Sequence, residues 1–348
     1  MCRRVDWTPE KTGMAALIIA EAGVNHNGSL DTAKRLVRVA KKTGADAVKF
    51  QTFKADRLVA GTATKAIYQQ QTTPAEETQH AMLRRLELGL EAHRALLQLC
   101  RELDIVFLSS PFDPESADLL AELGVSMFKI GSGEITNLPL LQHIAEKRKP
   151  LILSTGMSTL AEVEDAVAAI EDVGNRNLTL LHCVTEYPAP FAEINLRAML
   201  TLRQAFGYAV GYSDHTDGLE LPAAAAALGA EVIEKHLTLD RSDAGPDHRA
   251  SLEPAAFGAM VAGIRNVEAA LGDGRKQPAP CEVKNMTVAR KSLVATVTIP
   301  EGSTVSEDMV CIKRPGDGIA PKYHKAVTGC TAKRTIAPDE AIHWADLS

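Results

Sequence analysis

Eight short apolar runs, each followed by a helix-patterned stretch, constrain this chain more than any other feature of its sequence. They are LIIAE (17–21), DAVKFQ (46–51), IVFLSS (105–110), SMFKIG (126–131), PLILST (150–155), LTLLHC (178–183), YAVGY (208–212) and EVIEKH (231–236). Their length suits strands, and the stretches after them (30–43, 91–103, 114–123, 138–146, 159–173, 195–206, 219–228 and 254–271) carry helical spacing. Eight βα units of about 30 residues predict an α/β fold, a (β/α)8 TIM barrel whose active site is built from loops at the strand C-termini. The second connection, residues 53–89, exceeds what a return to the sheet needs and reads as a lid or substrate wall.

After residue 271 the pattern changes. GDGRKQPAP (272–280) is rich in Pro and Gly, so residues 272–284 read as a linker. Residues 285–348 read as a small β-rich domain of short segments and turns. Within it TIPEGSTVSEDM (298–309) and TIAPDEAIHWADL (335–347) share their spacing, which points to a pseudo-duplication. A length of 348 residues with 45% hydrophobic content suits one large core, here 17–271, plus such a small domain.

A net charge of −6 gives no reason to expect a nucleic-acid partner. No apolar run is long enough to span a membrane, and none is expected as a partner. Residues 1–16 are polar, without the apolar region of a signal peptide, and are expected to be a frayed extension. The six cysteines (Cys2, Cys100, Cys183, Cys281, Cys311 and Cys330) show no CxxC spacing and are expected as reduced thiols of a cytoplasmic protein.

Polar residues crowd the ends of the eight runs. Glu21 follows the first, Lys49 and Gln51 lie in the second, and Ser110 ends the third. Lys129, Ser132 and Glu134 lie at or after the fourth, Ser154 closes the fifth, and Thr185, Glu186 and Tyr187 follow the sixth. Ser213 and His215 follow the seventh and His236 ends the eighth, while the beginnings carry mostly Asp, Gly and Pro. Alternation places Val232, Glu234 and His236 on one strand face. A lone histidine there more often bonds backbone, but His215 and His236, accompanied by Ser213, Asp214 and Glu234, point to a divalent metal with positions left open for substrate. Two inward lysines, Lys49 and Lys129, with several serines make a pocket for an anion carrying phosphate and carboxylate. Glu21 and Glu134 are acid/base candidates, with a structural, ligand-orienting role as the alternative.

The motifs IIAEAGVNHNG (18–28), DAVKFQTF (46–53), SSPFD (109–113), KIGSGE (129–134), STGM (154–157), YPAP (187–190), GYSDHT (211–216), EKHLTLD (234–240) and KRPGDGI (313–319) together resemble the sialic-acid (N-acetylneuraminate) synthase family. The likeness runs from about residue 17 to the C-terminus. It implies a TIM barrel with an antifreeze-protein-like (SAF) domain, in a domain-swapped homodimer. Members condense phosphoenolpyruvate with an N-acetylated mannosamine-type amino sugar, using a divalent metal that is typically Mn2+, with Mg2+ or Co2+ as alternatives.

Carried over by motif, the metal ligands are His215 and His236. Lys129, Ser132, Ser154 and Ser213 fall on the phosphate pocket, and Lys49, Gln51 and Ser110 on the carboxylate end. Glu21 and Tyr187 fall on the sugar side, Asp247 on a sugar hydroxyl, and Glu134 on the attacking water. Arg314 falls on an arginine that reaches the acetamido group from the partner subunit. TEYP (185–188) resembles the segment of legionaminic acid synthases, whose sugar is 2,4-diacetamido-2,4,6-trideoxymannose. N-acetylmannosamine is the alternative sugar. A Schiff-base aldolase using the inward lysine and a non-catalytic sugar-binding protein are the rival readings.

Overall fold

The computed structural model describes residues 15–74 and 76–348. Residues 1–14, most of the expected frayed extension, and Cys2 with them, lie outside the described residues. The chain divides into two compact units after Gly272.

The first unit is the expected barrel. Its strands are β1 (Leu17–Gly23), β2 (Ala47–Thr52), β3 (Val106–Pro111), β4 (Phe128–Ile130), β5 (Leu151–Ser154), β6 (Leu178–Cys183), β7 (Ala209–Asp214) and β8 (Val232–His236). They pair in the order β3-β2-β1-β8-β7-β6-β5-β4, and β3 lies against β4, so the sheet curls into a nearly closed barrel. All its ladders are parallel, as in the register Glu21 with His236 and Lys49 with Glu21. Both faces of such strands are buried, which is why they read as near-continuous apolar runs.

The two faces separate cleanly. Ile18, Val48, Phe107, Phe128, Leu153, Leu180 and Ile233 point outward into the helix layer. Leu17, Ile19, Ala47, Leu108, Met127, Ile152, Leu181 and Val232 form an apolar plug inside. Two residues further along several strands the inward position turns polar: Glu21 after Ile19, Lys49 after Ala47, Ser110 after Leu108, Lys129 after Met127, Ser154 after Ile152 and Glu234 after Val232. That switch from plug to polar layer creates the site.

Helices α1 (Leu30–Lys42), α2 (Ala55–Leu58), α3 (Ile67–Thr72), α4 (Gln79–Arg85), α5 (Leu90–Leu103), α6 (Pro114–Glu122), α7 (Leu138–Ala145), α8 (Leu160–Asp172), α9 (Ala198–Phe206), α10 (Glu220–Ala227) and α11 (Pro254–Leu271) connect and follow the strands. In α1, Ser29 accepts a hydrogen bond from the Thr32 N–H, Asp31 and Lys41/Lys42 sit at the ends that suit their charge, and Ala33, Leu36, Val37 and Ala40 form the buried stripe. The long second connection is made of α2, α3 and α4, and packs Met82 and Leu86 against Val24 and Phe53.

The second unit buries Leu293, Ala295, Ile299, Val305, Val310, Ile319, Ile336 and Ile342 around an antiparallel pair, β9 (Ser292–Ala295) and β10 (Val310–Lys313). Ile299 and Ile336 exchange both backbone hydrogen bonds, and 3-10 turns follow each at Glu307–Met309 and Trp344–Asp346. The two similar segments are thus equivalent in structure as well as spacing. Residues 280–284 of the expected linker and 285–289 of the expected β-rich domain together form α12 (Pro280–Ala289), started by Pro280 and by Glu282, which accepts from the Ala279 N–H. A short α13 (His324–Val327) completes the unit.

Candidate active site

A cavity of about 250 Å3 lies where the strands present their polar layer. Its lining includes Glu21, Lys49, Gln51, Ser110, Lys129, Ser132, Ser154, Tyr187, Ser213, His215, His236 and Asp247, so twelve of the fourteen residues singled out from sequence converge on one space. The second connection supplies Gln69, Met82, Leu83 and Leu86 as its wall.

At the base stands Glu234, buried between two ammonium groups. Lys129 Nζ is 3.4 Å from one carboxylate oxygen and Lys49 Nζ 3.7 Å from the other. Ser213 Oγ donates to the first at 3.0 Å. Burial pushes this carboxyl up, but Lys129 and Lys49 outweigh it and hold the group at about 2. Lys49 also lies 2.6 Å from Glu21 and 3.4 Å from Ser110 Oγ, while Gln51 reaches Glu21 at 3.4 Å. Burial raises Glu21 to about 7 against the pull of Lys49. Burial lowers Lys49 too, yet Glu21 and Glu234 more than restore it, so it stays an ammonium. With Glu21 protonated, the lysines face one carboxylate, and the base of the cavity favours an anion.

Hydroxyls extend that preference. Ser154 Oγ and Thr185 Oγ1 are buried with no hydrogen-bond partner and line the cavity. Ser132 Oγ accepts from the Gly156 N–H at 3.0 Å and lies 3.0 Å from Cys183 Sγ. A Cβ on Gly156 would come within 2.4 Å of Thr185 Oγ1 and 2.8 Å of Ser132 Oγ, so only glycine lets the β5 turn approach this wall.

The imidazoles form the other side. Ring centroids of His215 and His236 are 5.4 Å apart, and Tyr187 lies 4.3 Å and 5.7 Å from them. His215 Nδ1 donates to the Val184 carbonyl at 2.7 Å, a bond that fixes the tautomer with the lone pair on Nε2. Burial lowers His215 to about 4, and burial with His215 as neighbour lowers His236 well below the usual range. Both rings therefore present lone pairs, and His236 Nδ1 is buried without a partner. Neutral imidazoles with an orphaned nitrogen fit a divalent cation. Among the described residues no cluster of three or more His, Cys, Asp or Glu completes a metal cage, so a cation held by these two rings would take its other ligands from substrate and water. Asp247 borders the cavity as well, and burial raises it to about 6.

Two expected residues are not among those lining the cavity. Glu134 follows the lining residues Ser132 and Gly133: β4 ends at Ile130, the chain turns into the 3-10 segment Ser132–Glu134, and the carboxylate, raised by burial, accepts from Asn137 at 2.8 Å. Arg314 belongs to the second unit, where it is exposed and its Nε donates to the Ala289 carbonyl at 3.1 Å. Conversely, Glu234, by sequence only a companion of the histidines, stands at the cavity base between Lys49 and Lys129. The inward alternation with Val232 and His236 was the signal that could have placed it at the centre.

The NeuB family profile matches residues 36–276, and the SAF domain profile residues 290–348. An N,N'-diacetyllegionaminic acid synthase of Campylobacter jejuni is 51% identical over 94% of this chain and 98% of its own. One of Legionella pneumophila is 45% identical over 97% of this chain and 96% of its own. Among solved structures, an N-acetylneuraminic acid (sialic acid) synthetase from Leptospira borgpetersenii, in complex with citrate, aligns with a TM-score of 0.68 at 33% identity, covering 78% of this chain and 90% of that one.

Proposed function

The chain belongs to the NeuB family, and from that premise we propose that it is a nonulosonate synthase joining phosphoenolpyruvate to 2,4-diacetamido-2,4,6-trideoxymannose, giving N,N'-diacetyllegionaminate and phosphate. The observation that carries this reading is one cavity with a lysine- and hydroxyl-lined anion base beside two neutral imidazoles. The names of the 51% and 45% identical relatives, and the TEYP segment, favour this sugar over N-acetylmannosamine.

In this reading Lys129, Ser132, Ser154 and Ser213 hold the phosphate, and Lys49, Gln51 and Ser110 the carboxylate, of phosphoenolpyruvate. His215 and His236 would hold a divalent cation, Mn2+ being proposed. When bound, that cation supplies Lewis-acid polarisation of the sugar's aldehyde. C3 of phosphoenolpyruvate attacks that carbon, forming the new C–C bond, and the aldehyde oxygen takes a proton. Water adds at C2 with loss of a proton, and phosphate leaves from the tetrahedral intermediate. Glu21, raised to about 7, can hold or accept a proton at neutral pH, and Glu134, next to the lining residues Ser132 and Gly133 and raised by burial, is proposed for the attacking water. Arg314 is proposed to serve the partner subunit's barrel within a swapped homodimer.

Incubation with phosphoenolpyruvate and a panel of hexosamines, with phosphate release and product mass as readouts, tests the reading. A borohydride-trapped pyruvyl adduct on Lys129, with activity intact in chelator, would replace it by the Schiff-base aldolase.

A further inference from the structure

Beside the main cavity lies a second pocket of about 170 Å3, and Tyr187 and Pro246 are walls of both. It forms where α3, the loop after β6 and the loop after β8 meet. Gly245 N–H donates to the Thr72 carbonyl at 3.3 Å across that junction. Its lining mixes apolar and charged groups: Ile67, which is 77% exposed, and Pro188 on one hand, Glu186 and Arg249 on the other. Both charged residues are exposed. Here neither side chain has an ion pair or hydrogen bond among the described residues, so a carboxylate acceptor and a guanidinium donor are both left for a ligand.

Tyr187 gives the pocket its connection to the chemistry. Its ring stands 4.3 Å from His215, and the same residue walls the second pocket. A sugar with its aldehyde at the imidazoles that leaves along Tyr187 directs its far end there.

Resting on the sugar proposed above, we propose that this pocket is the subsite for the end remote from the aldehyde, and that Glu186 and Arg249 select the second acetamido group. An amide offers one N–H and one carbonyl, which match the carboxylate and the guanidinium in turn. Its methyl, and the methyl at C6 of a 6-deoxy sugar, cover Ile67 and Pro188. A sugar with hydroxyls at C4 and C6 leaves this apolar surface against polar groups and supplies no carbonyl to Arg249.

The test compares wild type, Arg249→Ala and Glu186→Gln on the diacetamido sugar and on N-acetylmannosamine, with thermal unfolding to verify the fold. Loss of a substrate-amide contact should lower kcat/KM for the diacetamido sugar by about tenfold in Arg249→Ala and leave N-acetylmannosamine within about threefold. KM for phosphoenolpyruvate should stay constant, and Arg249→Lys should recover part of the loss. Equal losses on both sugars, or no loss on the diacetamido sugar, overturn the subsite while leaving the synthase reading intact. Wild type preferring N-acetylmannosamine overturns the proposed sugar instead, and the subsite with it.

Discussion

Asp247 is a carboxyl whose burial only Lys49 offsets, and its pH behaviour follows from that. Folding raises it from 3.8 to about 6, so the native state binds its proton more tightly than the unfolded chain. The stabilisation is full below about 3.8 and is lost as pH rises through about 6, and at about 1.4 kcal/mol per pH unit it amounts to on the order of 3 kcal/mol. Asp247→Asn keeps the shape without the ionisation. Its stability relative to wild type should therefore rise between these two values and level off above them, as denaturant titration at several pH values would show. A flat difference would mean that the carboxyl is not desolvated. The histidines act through lone pairs, so His215→Ala and His236→Ala should each abolish turnover and Mn2+ binding by calorimetry. The barrel packs without them, and its unfolding temperature should move only modestly. Near-normal turnover without bound metal would discard the two-histidine site.

Strands β7 and β8 are joined behind the barrel wall by a pair that does no chemistry. Lys235, fully buried, places Nζ 2.5 Å from Asp214 Oδ2 and 2.5 Å from the Thr216 carbonyl. Asp214 Oδ1 accepts from Tyr212 Oη and from the Thr216 N–H, both at 3.0 Å. This network holds the turn that carries His215. Lys235→Met strands a buried carboxylate and should cost about 3–5 kcal/mol in denaturant unfolding, whereas adding Asp214→Asn should recover much of it. If the double variant is no more stable than the single one, the loss comes from packing around Lys235. The β5 turn is equally constrained, and Gly156→Ala should raise KM for phosphoenolpyruvate by driving Thr185 and Ser132 apart.

At the scale of the whole molecule the prediction concerns two chains. If Arg314 serves the partner's barrel, inactive Arg314→Ala mixed with inactive His236→Ala should regain activity on subunit exchange. Random pairing puts half the dimers in the mixed form, each with one complete site, so recovery should approach roughly a quarter of wild type. Exchange shown by mass, with no recovery, would assign the arginine to its own barrel or to neither. No helix among the described residues is long and apolar enough to cross a membrane.

The eight strands and the inward set at their ends were legible because period-two alternation is local: Val232, Glu234 and His236 share a face whatever the rest of the chain does. The twin halves of the second unit were legible for a similar reason, since equal spacing sends Ile299 and Ile336 into equivalent places. What no local pattern contains is register across the closed sheet. Lys49, Lys129 and Glu234 come from β2, β4 and β8, and only barrel closure brings them within ion-pair distance. The early end of β4 set a three-residue 3-10 turn in which Glu134 accepts from Asn137, and Pro280 started a helix where the composition read as linker. Asp247 reaches the cavity because the loop after β8 folds back, with Thr238 N–H bonded to Leu252 O and Ser251 Oγ to Asp247 O. The ion pairs of Glu234 with Lys49 and Lys129 join residues far apart in the chain, and their energies exist only once the barrel has formed.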